Sequence, residues 1–315
     1  MPLHPVAQQL LADSAASGRP NAHLLPVPVA RENFESDLSG LTKPEIARTR
    51  DLRIPARDGY DLPARLYLPE DGRSDLPLVV YFHGGGWLLG SIDSHDVATR
   101  LLARASGCAV LSVGYRRGPE WRFPTAVDDA VDSVRWAAAS GADLGVDSSR
   151  LAVAGDSAGG NLATVAAAVL GDEGGPALAL QLLVYPVTSC DLSTGFDMIY
   201  EGHILYRDEM QWHQDNYLTS AEEKLDPRVS PLLGNLAGLP PAAVVLAECD
   251  PIRPQGVRYV EALRAAAVPV EVFDAATLVH GFFGLDELFP EASEAMAFAG
   301  TQLAQALGVY RPVHR

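Results

Sequence analysis

The chain has 315 residues, 48% hydrophobic and 20% charged, a globular composition long enough to bury a sizeable core. A net charge of −16, 40 acidic against 24 basic residues with no Lys/Arg-rich run, repels phosphate backbones and argues against a nucleic-acid partner. Cys108, Cys190 and Cys249 are far apart and form neither a CxxC pair nor a disulfide framework. The first five residues lack a basic start and an apolar leader, and no apolar run reaches the ~18–20 residues of a membrane helix. The expectation is a soluble, cytoplasmic protein with no integral membrane segment.

In chain order, residues 3–17 are Ala/Leu/Gln-rich and predict a helix ending near Gly18 and Pro20. Residues 24–50 carry Pro26, Pro28 and Pro44 as breakers and leave room for a short helix or two. Residues 50–55 and 64–68 read as strands about the turn at Asp58-Gly59, and 76–82 as a strand buried on both faces. A helix-compatible stretch, 93–106, precedes a buried strand at 109–113. Pro124 opens a helix over 125–140, where proline is tolerated. A strand at 151–154, an Ala-rich helix at 158–170 and a strand at 180–184 follow. Residues 188–230 break the rhythm with Phe196, Tyr200, Tyr206, Trp212 and Tyr217. The alternation resumes with a strand at 243–247, a helix at 254–267, a strand at 270–273 and a helix near 290–307. Such alternation predicts an α/β fold with a mostly parallel sheet covered by helices, its ligand at the carboxyl ends of the strands. Residues 1–45 and 188–230 do not fit the sheet and are expected to pack together over one end of it.

The chemistry begins at Gly155-Asp156-Ser157-Ala158-Gly159, a G-x-S-x-G pattern between a strand and a helix. A serine hydroxyl is a poor nucleophile until held against a base, and a sharp strand-to-helix turn presents it. The glycines on either side relieve the crowding in that turn. Ahead of it, His83-Gly84-Gly85-Gly86-Trp87 follows a strand and can turn backbone N–H groups toward an oxyanion, with the Ala158 N–H as the matching donor. No Gly-Lys-Ser/Thr follows that would make this loop a phosphate cradle. Of the eight histidines, His280, after the last strand and before Gly281-Phe282, sits where a base belongs in the order Ser, acid, His. Asp250 directly follows the strand 243–247 and is the expected acid, ahead of Glu248, which the pattern assigns to the strand end, and of Asp274. No metal-ligand spacing occurs, and His203 and His213 read as surface residues of the insertion.

Together these runs, with Gly90-Ser91-Ile92-Asp93-Ser94-His95-Asp96, Tyr115-Arg116, Pro119-Glu120 and Tyr185-Pro186, resemble the bacterial hormone-sensitive-lipase-like esterases over roughly residues 60–285. The resemblance implies a single α/β-hydrolase domain over 1–315 with a helical cap from about 1–45 and 188–230. It implies hydrolysis of short-to-medium acyl esters, small molecules, without a cofactor or metal. Matched by position, Ser157, Asp250 and His280 resemble the catalytic triad, and Gly85, Gly86 and Ala158 the oxyanion donors. His83 resembles a support for the glycine loop. A homodimer through a sheet edge is compatible with the likeness. Trp87, Phe34, Tyr206, Trp212 and Tyr217 stand either as pocket lining or as core of the cap. Two departures are visible: Arg117-Gly118 replaces Leu-Ala before Pro119-Glu120, and Pro254-Gln255 replaces an acidic pair before Gly256, removing two negative charges near the acid and base. The alternatives are a non-catalytic small-ligand receptor on this scaffold, like the plant gibberellin receptor, and an amidase or peptidase of the same fold. The receptor lacks the histidine that His280 supplies.

Overall fold

The computed structural model describes residues 3–309; Met1 and Pro2, of the first five residues, and His314, one of the eight histidines, lie outside the described residues. The chain opens with α1 (Pro5–Ser17), a 3-10 turn at Ala22–Leu24 and α2 (Val27–Leu38). Strands β1 (Arg48–Pro55) and β2 (Asp61–Leu68) form an antiparallel pair about the Asp58-Gly59 turn. Then come β3 (Pro77–Phe82), α3 (Asp96–Ser106), β4 (Ala109–Val113), α4 (Thr125–Ala139), the short α5 (Gly141–Leu144), β5 (Asp147–Asp156) and α6 (Ala158–Asp172). After β6 (Gln181–Val184) the insertion holds α7 (Arg207–Tyr217). The chain continues through β7 (Ala242–Ala247), α8 (Arg253–Ala265), β8 (Val270–Ala275) and α9 (Ala292–Ala306).

The strands form one sheet in the order β1-β2-β4-β3-β5-β6-β7-β8, antiparallel at β1–β2 and β2–β4 and parallel from β4 onward. Its central strands are uniformly buried, as the continuous apolar runs require. Alternate residues serve opposite faces. Leu78, Val80 and Phe82 join the core under α4, α6 and α8, while Val79 and Tyr81 join that under α3 and α9. Two strands begin earlier than the apolar pattern indicates. Asp61–Pro63 pairs with β1 near the sheet edge, where proline is tolerated, and β5 reaches back to Asp147, opposite Pro77, across a register shift.

The insertion and the N-terminal segment meet in part. The 3-10 turn at Ala22–Leu24 contacts both α2 and α7. Helix α1 goes elsewhere: the His4 N–H donates to the Thr277 carbonyl, and Ala7 packs in the core beneath α9. On α2, Arg31 reaches the Leu88 and Gly118 carbonyls and grips Glu120 with two hydrogen bonds of 2.8 Å.

Candidate active site

Strands β3, β5 and β7 end side by side at the same rim of the sheet, with β6 between the last two. The turn from β5 into α6 places Ser157 at φ 54°, a backbone conformation costly for any residue with a Cβ. Its N–H donates to the Val184 carbonyl at 2.8 Å and its carbonyl accepts from Val187 at 3.1 Å, so neighbouring structure holds the strained turn. A side chain on Gly155 would collide with the Gly159 carbonyl, and one on Gly159 with the Phe82 carbonyl, which is why this motif demands glycine at both places.

His280 comes from the loop after β8. Its Nε2 lies 2.9 Å from Ser157 Oγ and its Nδ1 2.8 Å from Asp250 Oδ2. Asp250 is buried after β7, and its Oδ1 accepts the Ile252 N–H at 2.9 Å. Burial works against a charged His280 ring. The Asp250 carboxylate, by charge and hydrogen bond, outweighs it, and His280 titrates above the ordinary histidine value. Glu248 lies past β7, which ends at Ala247, so it is not part of the strand: its carboxylate accepts the Thr277 N–H. Asp274 pairs with Arg253. Neither approaches the ring of His280 within hydrogen-bonding distance.

The glycine loop is anchored from behind by a buried carboxylate. Asp156 Oδ1 accepts from Tyr81 Oη at 2.6 Å and from the Gly84 N–H at 3.0 Å, while Oδ2 lies 3.4 Å from His95 Nε2. Burial opposes both charges of this pair. Nevertheless, the facing His95 holds Asp156 below the usual carboxylate range, and Asp156 lifts His95 above its usual value. The His83 ring stacks on Tyr115 and lies 2.8 Å from the Gly84 carbonyl; burial, with the charges of His95 and Arg117, lowers its pKa to about 3. Past Gly84 the loop turns through positive φ at Gly85 and Gly86. Among the described residues no acceptor meets the N–H groups of Gly85, Gly86 or Ala158.

The family model described as the alpha/beta hydrolase fold matches residues 79–284. The chain is 40% identical over 292 residues to the ethyl acetate hydrolase of Pseudomonas putida, covering 90% of this chain and 92% of that protein. It is 42% identical over 276 residues to the carboxylesterase NlhH of Mycobacterium tuberculosis, covering 84% of this chain and 86% of that one. Among solved structures, the hyperthermophilic esterase of the archaeon Pyrobaculum calidifontis superposes with a TM-score of 0.91 at 37% identity, covering 97% of this chain and 99% of that one. The chain belongs to the hormone-sensitive-lipase-like carboxylesterases of the α/β-hydrolase superfamily. It is a carboxylic ester hydrolase, and no helix among its described residues is long and apolar enough to cross a membrane.

Within this esterase the five aromatic residues expected as pocket lining or cap core separate. Trp87 and Tyr217 are fully buried and stack at 4.6 Å, 5° from parallel, inside the main core. Phe34 and Trp212 are half-buried and pack against Ala30, Leu88 and Leu89, with Phe34 also stacked on His95 at 6.3 Å. Tyr206 is half-buried, its ring 6.4 Å from that of His23. His213 corrects the sequence reading. It is buried, not a surface residue, and its ring lies so close to Gly86 that a side chain there would collide with it. The pattern missed this because α7 is amphipathic about a site that polar residues also face. His203 is half-buried beside Tyr200. Of the two residues that replace the acidic pair, Gln255 is buried and bonds elsewhere. Gln255 points away, accepting the Thr188 and Ser189 N–H groups at 2.7 and 2.9 Å and so pinning the start of the insertion. Sequence reasoning gave no role to Asp156, although it stands inside the serine motif. A carboxylate next to Ser157 on a buried strand end was the available signal.

Proposed function

We propose that Ser157, His280 and Asp250 are the nucleophile, base and acid of this esterase, and that the N–H groups of Gly85, Gly86 and Ala158 receive the oxyanion. The observation that carries the reading is the unbroken chain Asp250–His280–Ser157, at 2.8 and 2.9 Å, beside three backbone donors with no acceptor of their own. In this reading His280 takes the Ser157 proton as Oγ attacks the ester carbonyl. The oxyanion lies against the three N–H groups, each worth ~10²–10³ in rate where such donors have been removed from other enzymes. His280 then protonates the leaving alcohol, and water repeats the sequence on the acyl-enzyme. Asp250 fixes the imidazole tautomer and stabilises the imidazolium. The substrates proposed are esters of short-to-medium acids, in keeping with a site whose surrounding aromatic side chains are largely taken up by packing.

Residues 22–38 and 188–230 are read as the cap that closes the site. The outer edge of β8, unpaired within the sheet, is the proposed seam of a homodimer, to be checked by light scattering. Cytoplasmic residence is part of this reading, and cell fractionation tests it. Ser157→Ala is expected to abolish hydrolysis of p-nitrophenyl butanoate and labelling by an organophosphate. Near-normal turnover in a folded variant would sink the assignment, and an unlabelled wild-type protein would favour the receptor reading.

A further inference from the structure

Helix α7 turns one face toward the reacting groups, and two side chains on that face are titratable. Glu209 and His213 stand one turn apart and share it. His213 packs against the Gly86 backbone with Nδ1 toward it, and burial lowers its pKa to about 3, so the ring is neutral. Its Nε2 is 3.9 Å from Glu209 Oε1, too far for a hydrogen bond. The Glu209 side chain is only 14% exposed, and its polar surroundings are the His213 ring and the Tyr206 backbone. Burial lifts this carboxyl to about 7, and its charge contributes to raising His280. Glu209 is the third residue of α7, and its carboxylate accepts the backbone N–H of the N-cap residue Tyr206, which occupies one of its acceptor positions. A carboxyl buried without a cationic partner is costly, and a carboxylate has more acceptor positions than this one contact fills.

We propose that Glu209, backed by His213, determines specificity by accepting a hydrogen bond from a donor group, hydroxyl or ammonium, on the alcohol portion of the ester. This rests on the triad reading above. The leaving oxygen takes its proton from His280 Nε2, so the alcohol lies on the His280 side of the site, and Glu209 faces that site from α7, 3.9 Å from the His213 ring that packs on Gly86. His213, neutral and wedged on Gly86, fixes the spacing between the glycine loop and the carboxylate.

The test compares size-matched butanoate esters on the full-length protein: 2-hydroxyethyl against propyl, and 2-(dimethylammonio)ethyl against 3-methylbutyl. The readout is the donor-to-isostere ratio of kcat/KM in each enzyme, since dividing wild type by variant cancels intrinsic ester reactivity. In Glu209→Leu at least one ratio is expected to fall roughly tenfold or more, the loss of one hydrogen bond to a charged group. A fall in the first pair alone identifies a hydroxyl donor, a fall in the second alone an ammonium, and both support the inference. Ratios unchanged, or donor and isostere falling together, overturn it. If Glu209→Leu does not fold, Glu209→Met, of similar length, makes the same comparison. Organophosphate labelling of Ser157 in the wild-type protein tests the triad reading separately, so the two failures are distinguishable.

Discussion

Replacing Asp156 with Asn changes the chemistry at the joint between the nucleophile turn and the glycine loop while preserving shape. The amide oxygen can keep the two bonds now made by Oδ1, from Tyr81 at 2.6 Å and from Gly84 at 3.0 Å, and the amide nitrogen then faces His95. What disappears is the charge. A hydrogen bond to an ionised group is worth ~1.5–3 kcal/mol and one between neutral groups ~0.5–1.5, so two bonds lose about 2 kcal/mol together. For a chain of 315 residues that corresponds to a Tm lower by about 3 °C. The Gly84 N–H is also held less firmly, and kcat/KM on p-nitrophenyl butanoate should drop about tenfold, well short of the loss of a whole oxyanion donor. The pH dependence carries the sign. Asp156 titrates below its ordinary value, so its contribution is present above about pH 4 and fades as pH falls through that lowered value. His95 titrates above its ordinary value, so its contribution is complete below about pH 6.5 and fades as pH rises through the raised one. The Tm gap between wild type and Asp156→Asn should therefore be widest between about pH 4 and 6.5 and narrow on either side. Calorimetry across pH measures it. A gap that is absent, reversed or independent of pH would refute the reasoning.

On the proposed reading His280 is the base and must be neutral to act; it titrates above the ordinary histidine value of about 6.5, so kcat/KM should fall on the acid side with a midpoint above that value, and a midpoint below it counts against the proposed role. Gln255→Leu strips the Thr188 and Ser189 N–H groups of their acceptor and should lower stability by roughly 2–6 kcal/mol in urea unfolding; a change under about 1 kcal/mol would show that the anchor is dispensable.

The fold was readable because its central strands are uninterrupted apolar runs and its turns are spelled in glycine and proline. Val79–Phe82 and Ala242–Ala247 could hardly lie anywhere but inside a parallel sheet, and the glycines around Ser157 have no other use than the sharp turn. What could not be read depends on how elements meet across the chain. Nothing local distinguishes α1, which docks beside Thr277, from the 3-10 turn that follows it and touches α7. His213 looked like a surface residue because burial on α7 is set by its contact with Gly86, over a hundred residues earlier in the chain. Gln255 looked like a missing charge because its partners lie on the insertion. Each of these is a tertiary contact between distant parts of the chain, and the last two are made by polar side chains, the kind of information that hydrophobic periodicity does not encode.

The stacked rings of Trp87 and Tyr217 have a consequence for how substrate enters. One ring belongs to the glycine loop and the other closes α7, so swinging that helix aside as a rigid flap would pull them apart. Aromatic side chains bury about 150–250 Å² each, and wetting half of two such surfaces at ~25 cal/mol per Å² costs roughly 4–6 kcal/mol. At 1.4 kcal/mol per tenfold, such an open form is held by about one molecule in 10³–10⁴ before any other contact is counted. Esters then reach the site as single dissolved molecules, without that helix swinging aside. Hydrolysis should rise smoothly to saturation with the ester in solution and show no jump in rate when droplets or micelles first appear.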